Sequence, residues 1–136
     1  MIETKEALGT AVYLDTDYET AVAQVTAALQ AEGFGVLTEI DVKATLKKKL
    51  DVDFRPYKIL GACNPPLAYK ALSTAPEIGL MLPCNVTVSQ EADGRILVNL
   101  TNPKMMLGIT DLPELAEIAN DAEMRMSRVA AALESQ

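Results

Sequence analysis

The sequence contains no histidine, and this absence removes several classes of function at once. Ser-His-Asp and Cys-His catalytic machinery both need an imidazole as the base. Zinc and non-haem iron sites built on imidazole ligands are excluded for the same reason. Any catalysis would have to use a carboxylate, a lysine, a tyrosine or a thiol. The sequence leaves open whether the protein is an enzyme, and it identifies no cofactor.

Positive charge and long apolar runs are also scarce. The 12 basic and 19 acidic side chains give a net charge of −7, which argues against nucleic acid or an anionic membrane surface as a partner. No run approaches the roughly 18 apolar residues that span a bilayer. The first residues, Met-Ile-Glu-Thr-Lys-Glu, lack the apolar segment of a signal peptide. We therefore expect a cytoplasmic protein whose two cysteines are reduced.

The sequence has enough hydrophobic residues for one domain over residues 1–136, since 49 % of them are hydrophobic. Hydrophobic periodicity predicts the order β-α-β-α-β-α-β-β-α, with the last helix over about residues 111–134. Asp93-Gly94 predicts the tip of a hairpin between the last two strands. We therefore expect an α+β fold, a two-layer sandwich in which helices cover one face of a largely antiparallel sheet.

Three connections along the chain carry local predictions. Thr16 and Glu19 have the spacing of a capping box before the first helix. Asp41 is predicted to cap a short lysine-rich helix. The segment 104–110 is predicted to be an apolar loop that includes Met105 and Met106. Because methionine adapts to irregular surfaces and recurs at binding sites, we expect this loop to pack against the core, a groove or a second subunit.

Both cysteines lie in the stretch 57–88, each directly before an asparagine. Asn64 is predicted to cap a helix that starts at Pro65, because proline suits the first helical position. Cys63 would then precede a helix N-terminus, where the dipole favours a thiolate. The alternative is a small buried hydrophobic side chain.

The second cysteine belongs to a predicted strand. Cys84 alternates in phase with Val86 and Val88, which places it on the apolar face and favours core packing. Asn85 follows it on the other face. Pro83 cannot donate to a sheet, so the strand starts there, bulges there or lies at an edge. The sequence leaves open whether the two thiols face each other.

Two carboxylates form a further candidate site. Glu39 and Asp41 are two residues apart on a predicted strand, so they lie on one face at its end. They could share a proton or act as base and acid. The alternative is that Glu39 lies at the rim of the sheet and that Asp41 only caps a helix.

Several motifs together resemble the prokaryotic family called domain of unknown function 302. These motifs are Phe34-Gly35-Val36-Leu37, Glu39-Ile40-Asp41, Leu46-Lys47-x-Lys49, Ile59-Leu60-Gly61-Ala62-Cys63-Asn64-Pro65, Pro76-x-x-Gly79-Leu80-x-Leu82-Pro83-Cys84-Asn85-Val86-x-Val88 and Asp93-Gly94. The resemblance covers about residues 10–103. It implies a β-α-β(4)-α fold like that of the TATA-binding-protein group, and a homodimer. It implies no reaction, cofactor or catalytic residue, and DNA binding does not follow from the fold.

These observations lead to three hypotheses about function. The first is a module that binds a small molecule or a partner at the segments Cys63-Asn64-Pro65 and Pro83-Cys84-Asn85. The second is a thiol-dependent redox or soft-metal protein that uses Cys63 and Cys84. The third is a structural homo-oligomer in which the apolar loop is a subunit interface.

Overall fold

The structure, a computed structural model, describes residues 2–5 and 8–136. Within these ranges the chain forms six strands, five α-helices and two short 3₁₀ segments. In chain order these are β1 (Ile2–Lys5), β2 (Gly9–Leu14), α1 (Tyr18–Ala31), β3 (Gly35–Asp41), α2 (Val42–Leu50), β4 (Tyr57–Cys63), α3 (Pro65–Thr74), a first 3₁₀ segment (Pro76–Met81), β5 (Cys84–Gln90), β6 (Ile96–Thr101), α4 (Pro103–Gly108), a second 3₁₀ segment (Pro113–Leu115) and α5 (Ala116–Glu134).

The six described strands form one sheet in the order β1-β2-β6-β5-β4-β3. Every neighbouring pair is antiparallel. The run β2-α1-β3-β4-β5-β6-α5 has the predicted β-α-β(4)-α pattern, so the predicted α+β class is confirmed. Strand β1 adds an edge that the periodicity did not predict.

Alternating side chains explain why one face of the sheet is buried. Leu60 and Ala62 of β4, Val86 and Val88 of β5, and Ile96 of β6 are fully buried. They point to the same side because successive residues of a strand face opposite ways. Helices α1 and α5 cover this face, and their inward residues are buried in the same cluster: Ala21, Val25, Ala28, Leu29, Met126, Val129, Ala130 and Leu133. We call this cluster the packed core.

The start of α1 differs from its prediction. Asp17 is the cap, and its carboxylate accepts hydrogen bonds from the backbone N–H of Thr20 at 2.8 Å and from the Thr20 hydroxyl at 2.7 Å. The predicted capping box of Thr16 and Glu19 is therefore wrong by one residue. Aspartate outcompetes threonine here because its two oxygens satisfy both donors. The predicted cap of α2 is confirmed, since Asp41 accepts from the Ala44 N–H at 2.9 Å.

The predicted loop 104–110 is wrong, because Pro103–Gly108 forms α4. Its cap is Asn102, which accepts from the Met105 N–H at 3.1 Å. The same Asn-Pro pattern starts α3, where Asn64 accepts from the Leu67 N–H at 3.3 Å. Strands β4 and β6 run in the same direction, because both are antiparallel to the intervening β5. The two Asn-Pro helices therefore leave the same end of the sheet, and this end holds the candidate site.

Candidate functional site

A cavity of about 190 Å³ lies where α3 and α4 leave the sheet. The ends of β4, β5 and β6 contribute Cys63, Cys84 and Thr101 to its wall. The first 3₁₀ segment contributes Leu80, and α5 contributes Ile118 and Ala122. None of the described residues that line the cavity carries a formal charge at neutral pH.

Small side chains explain why this space is not filled. Ala62, Ala71 and Ala122 line the cavity and are each almost fully buried. Phe34 also lines the cavity and is only 1 % exposed. Alanine methyl groups are too small to fill the space between these helices and the sheet. The void therefore follows from side-chain size at a few positions and not from a lack of apolar residues.

Asn64 holds three elements together beside the cavity. Its side-chain oxygen caps α3, and its amide nitrogen lies 3.5 Å from the Glu32 carbonyl at the end of α1. Arg125 of α5 donates to the same carbonyl at 3.1 Å. The side chain is only 7 % exposed. Its oxygen and amide nitrogen both have protein partners, so Asn64 fixes the cavity wall.

Both cysteines line the cavity and both are free thiols. Cys84 lies across from Ala62, the neighbour of Cys63 on β4. Burial raises the pKa of the Cys84 thiol to about 11, and the nearby Cys63 adds to this pKa shift. Both thiols therefore line one cavity and lie close enough for their charges to interact. Cys84 is protonated at neutral pH and is a poor nucleophile in that state.

Close packing around Gly61 positions Pro83, which lines the cavity. The Leu82-Pro83 peptide bond is cis, and the Pro83 ring lies over Gly61. A Cβ atom at Gly61 would stand 2.7 Å from the Pro83 ring and would overlap with the Thr38 hydroxyl. Glycine is therefore needed where three segments approach one another, and its lack of a side chain brings Pro83 and Cys84 close to β4.

The mouth of the cavity is formed by residues with greater exposure. Asn85 is exposed, Thr101 and Met106 are half-buried, and Leu80 is 90 % exposed. Met105, in contrast, is 40 % exposed and does not line the cavity. The structure thus places Cys63, Asn64, Cys84, Asn85 and Met106 at one cavity and leaves Met105 outside it.

Glu39 and Asp41 lie away from this cavity. They pair with Leu60 and Lys58 of β4, and Lys58 is five residues from Cys63, about 17 Å along a strand. Lys58 donates to Glu39 at 2.6 Å, and this hydrogen bond raises the pKa of Lys58. Burial, with Asp41 and Glu39 nearby, raises the pKa of Tyr18 to about 12. The two carboxylates thus belong to an ionic cluster with Lys58 and the capping interaction of α2.

Two features are absent from the described part of the chain. Nowhere in the ranges 2–5 and 8–136 do three or more Cys, Asp or Glu side chains come together in a group that could hold a metal ion. No helix in these ranges has the length and apolar character needed to cross a membrane.

Several cavity residues were not singled out by their sequence patterns. Phe34, Thr101 and the lining alanines carry no motif, and their roles depend on strand register and helix packing. One signal was available for α4, because Asn102-Pro103 repeats the Asn64-Pro65 pattern at the end of another strand. Reading both pairs as helix starts would have predicted α4 instead of a loop.

The fold and the site define a class of protein, an α+β domain with a small apolar cavity at one end of its sheet. The model of the family described as domain of unknown function DUF302 matches residues 10–133, and the chain belongs to this family. The match includes most of α5 in addition to residues 10–103, which carry the motifs.

The same fold is found in a solved structure of the family. The crystal structure of an uncharacterised conserved protein DUF302 from Bacillus stearothermophilus is similar to this chain with a TM-score of 0.82 and 33 % sequence identity. The similarity covers 90 % of this chain and 95 % of that chain. No curated protein matches the chain.

Proposed function

We propose that this protein is a binding module for a small, uncharged and largely apolar molecule. The observation that carries this proposal is the cavity of about 190 Å³ with no charged side chain in its described wall. A dry apolar cavity of about 150 Å³ is large enough to bind benzene. Ligands from the size of benzene to that of a bicyclic ring are therefore expected to fit.

The energetics of the wall support binding. Phe34, Ala62 and Ala71 are nearly fully buried, yet they face a space without protein atoms. Atoms that line a void lose dispersion contacts that a ligand would restore. An apolar ligand that fills the space would also remove its own surface from water, at about 25 cal/mol per Å².

The thiol hypothesis has less support than the binding hypothesis. Thiolates are the nucleophiles and the metal ligands, and the pKa of about 11 keeps Cys84 protonated at neutral pH. A protonated thiol behaves as a small apolar wall group, which suits an uncharged ligand. Catalysis is also less favoured, because no carboxylate or amine among the described residues reaches the cavity. The predicted homodimer stays a prediction.

The test is calorimetric titration and thermal denaturation of the reduced protein with benzene, toluene and indole. We expect at least one of them to bind the wild type, and a ligand at 100 times its Kd to stabilise the fold by about 2.7 kcal/mol. Ala71→Leu should abolish binding because its side chain fills the cavity. Ala27→Leu is the matched control, since Ala27 is an exposed alanine of α1. The proposal would be contradicted if none of the three ligands binds the wild type. It would also be contradicted if a ligand still binds the Ala71→Leu variant.

A further inference from the structure

The wall of the cavity is rich in sulfur-containing residues. The chain has two cysteines and six methionines. Among the described residues, both cysteines and two of the methionines, Met81 and Met106, line the cavity. Half of the sulfur-containing residues of the chain therefore lie at this one site, although the lining residues are a small fraction of the sequence.

Strand alternation directs the Cys84 side chain to the cavity side of the sheet. Cys84 is in phase with the fully buried Val86 and pairs with the fully buried Ala62, so all three side chains share one face. Helix α5 covers this face, and its residue Ala122 lines the cavity together with Ala62. Burial also raises the pKa of Cys84 to about 11, so this wall group is an uncharged thiol at neutral pH.

Helical spacing directs Met106 to the same cavity. Pro103, Met106 and Leu107 of α4 all line the cavity, and their spacing of three and four residues places them on one face of the helix. Met106 is half-buried there. The neighbouring Met105 is 40 % exposed and does not line the cavity. The cavity therefore receives one sulfur-containing side chain from the sheet, Cys84, and another from α4.

We propose that the ligand of this cavity contains an aromatic ring, and that Cys84 and Met106 select this ring over a saturated ring with the same number of carbon atoms. Sulfur makes a favourable contact with an aromatic ring at about 5 Å, whereas a saturated ring gains only dispersion from the same atom. In a cavity of about 190 Å³ a six-membered ring lies close to the wall on every side. This inference rests on the proposed function and deepens it, because it names the class of ligand.

The test compares benzene with cyclohexane in calorimetric titrations of the reduced protein. Met106→Leu removes the sulfur and nearly conserves the side-chain volume, and Cys84→Val removes the thiol in favour of a residue that suits a strand. Each change should weaken benzene binding about 2- to 12-fold relative to cyclohexane binding, the effect of one sulfur–aromatic contact. The ratio of the two Kd values is compared because a change of cavity shape affects both rings. Met105→Leu is the matched control on the same helix and should leave the ratio unchanged.

The outcomes separate this inference from the proposed function. If benzene binds but neither Met106→Leu nor Cys84→Val changes the ratio, the aromatic preference is wrong and the apolar binding module stands. A change in Met105→Leu as large as that in Met106→Leu would also overturn the inference. If cyclohexane does not bind, an unchanged Kd of benzene in both lining variants overturns it.

Failure of binding itself has a different meaning. If neither benzene nor cyclohexane binds the wild type, the inference fails, and the proposed function fails with it if toluene and indole do not bind either. Either lining variant carries the test alone if the other does not fold, because Cys84 and Met106 belong to different elements.

Discussion

The packed core and the cavity are both apolar, yet only one of them is filled. In the packed core, Leu29, Leu60 and Leu133 are fully buried between the sheet and two long helices. At the cavity, the helix positions that face inward include Ala68, Ala71 and Ala122. The comparison shows that hydrophobic side chains cause a region to be buried, while the volumes of those side chains decide whether the buried region is filled.

The elements around the two regions differ as well. Helices α1 and α5 have 14 and 19 residues and lie along the sheet. The cavity is bounded by α3 with 10 residues, a 3₁₀ segment with 6 and α4 with 6. Short elements bury few side chains each, so the wall of the cavity is assembled from several segments.

The largest expected difference between the two regions concerns leucine truncation. Leu60→Ala should lower the free energy of unfolding by about 2–5 kcal/mol, because it creates a cavity in the packed core. Leu80→Ala should change it by no more than about 0.5 kcal/mol, since Leu80 is 90 % exposed at the cavity mouth. Urea denaturation followed by circular dichroism measures both values. Similar losses in the two variants would show that Leu80 is packed and that the mouth is closed.

Replacing an alanine by leucine should change the free energy of unfolding in opposite directions in the packed core and at the cavity. Ala130→Leu inserts extra carbon atoms into the packed core and should cost about 1–3 kcal/mol. Ala71→Leu places the same atoms in the cavity and should stabilise the fold by about 0.5–2 kcal/mol. The same denaturation experiment compares them. A loss in Ala71→Leu as large as that in Ala130→Leu would mean that the cavity closes in solution.

The Cys84 thiol should make the free energy of unfolding depend on pH in alkaline solution. Burial raises the pKa of Cys84 from 9.0 to about 11, so the folded state favours the protonated thiol. The stabilisation that the protonated thiol gives the folded state is complete below pH 9 and is lost as the pH rises towards 11. By pH 10 the loss should be about 1.4 kcal/mol, the equivalent of one pKa unit. Denaturation of wild type and Cys84→Ala between pH 7 and 10 measures it, and parallel curves would contradict the prediction.

The smallest expected difference is between the two Asn-Pro caps. Replacing a capping asparagine by alanine costs about 0.5–2 kcal/mol. Asn64→Ala should lie near the upper limit, because Asn64 is buried and also contacts the Glu32 carbonyl. Asn102→Ala should lie near the lower limit, since its capping bond is exposed. A difference of about 1 kcal/mol in thermal denaturation is expected, and equal costs would show that the contact with Glu32 adds nothing.

Local patterns predicted much of the fold. Period-two alternation identified β5 and β6, and the Asn64-Pro65 pair identified the start of α3. The two errors in the predicted elements also have local causes. The apolar composition of the segment 104–110 outweighed its Asn-Pro start, and the threonine at position 16 competed with a better cap one residue later.

The candidate site was predicted only in part. The two Cys-Asn segments could be singled out because they combine thiols with proline and with helix or strand starts. Thr101 and Phe34 could not, because they reach the cavity through strand order and through the packing of α1 against α5. Glu39 and Asp41, which the sequence singled out as a separate candidate, pair with Leu60 and Lys58 of β4 at a distance from the thiols.

The sequence by itself determined the α+β class, the positions of most strands and helices, the buried face of the sheet and the lack of imidazole chemistry. These properties depend on neighbours within a few residues, which a linear pattern contains. The tertiary structure decided that α3 and α4 leave the same end of the sheet, that Cys63 and Cys84 line one cavity, and that small alanine side chains leave this cavity unfilled. These properties depend on register and on volumes contributed by distant segments, which become defined only when the whole chain packs.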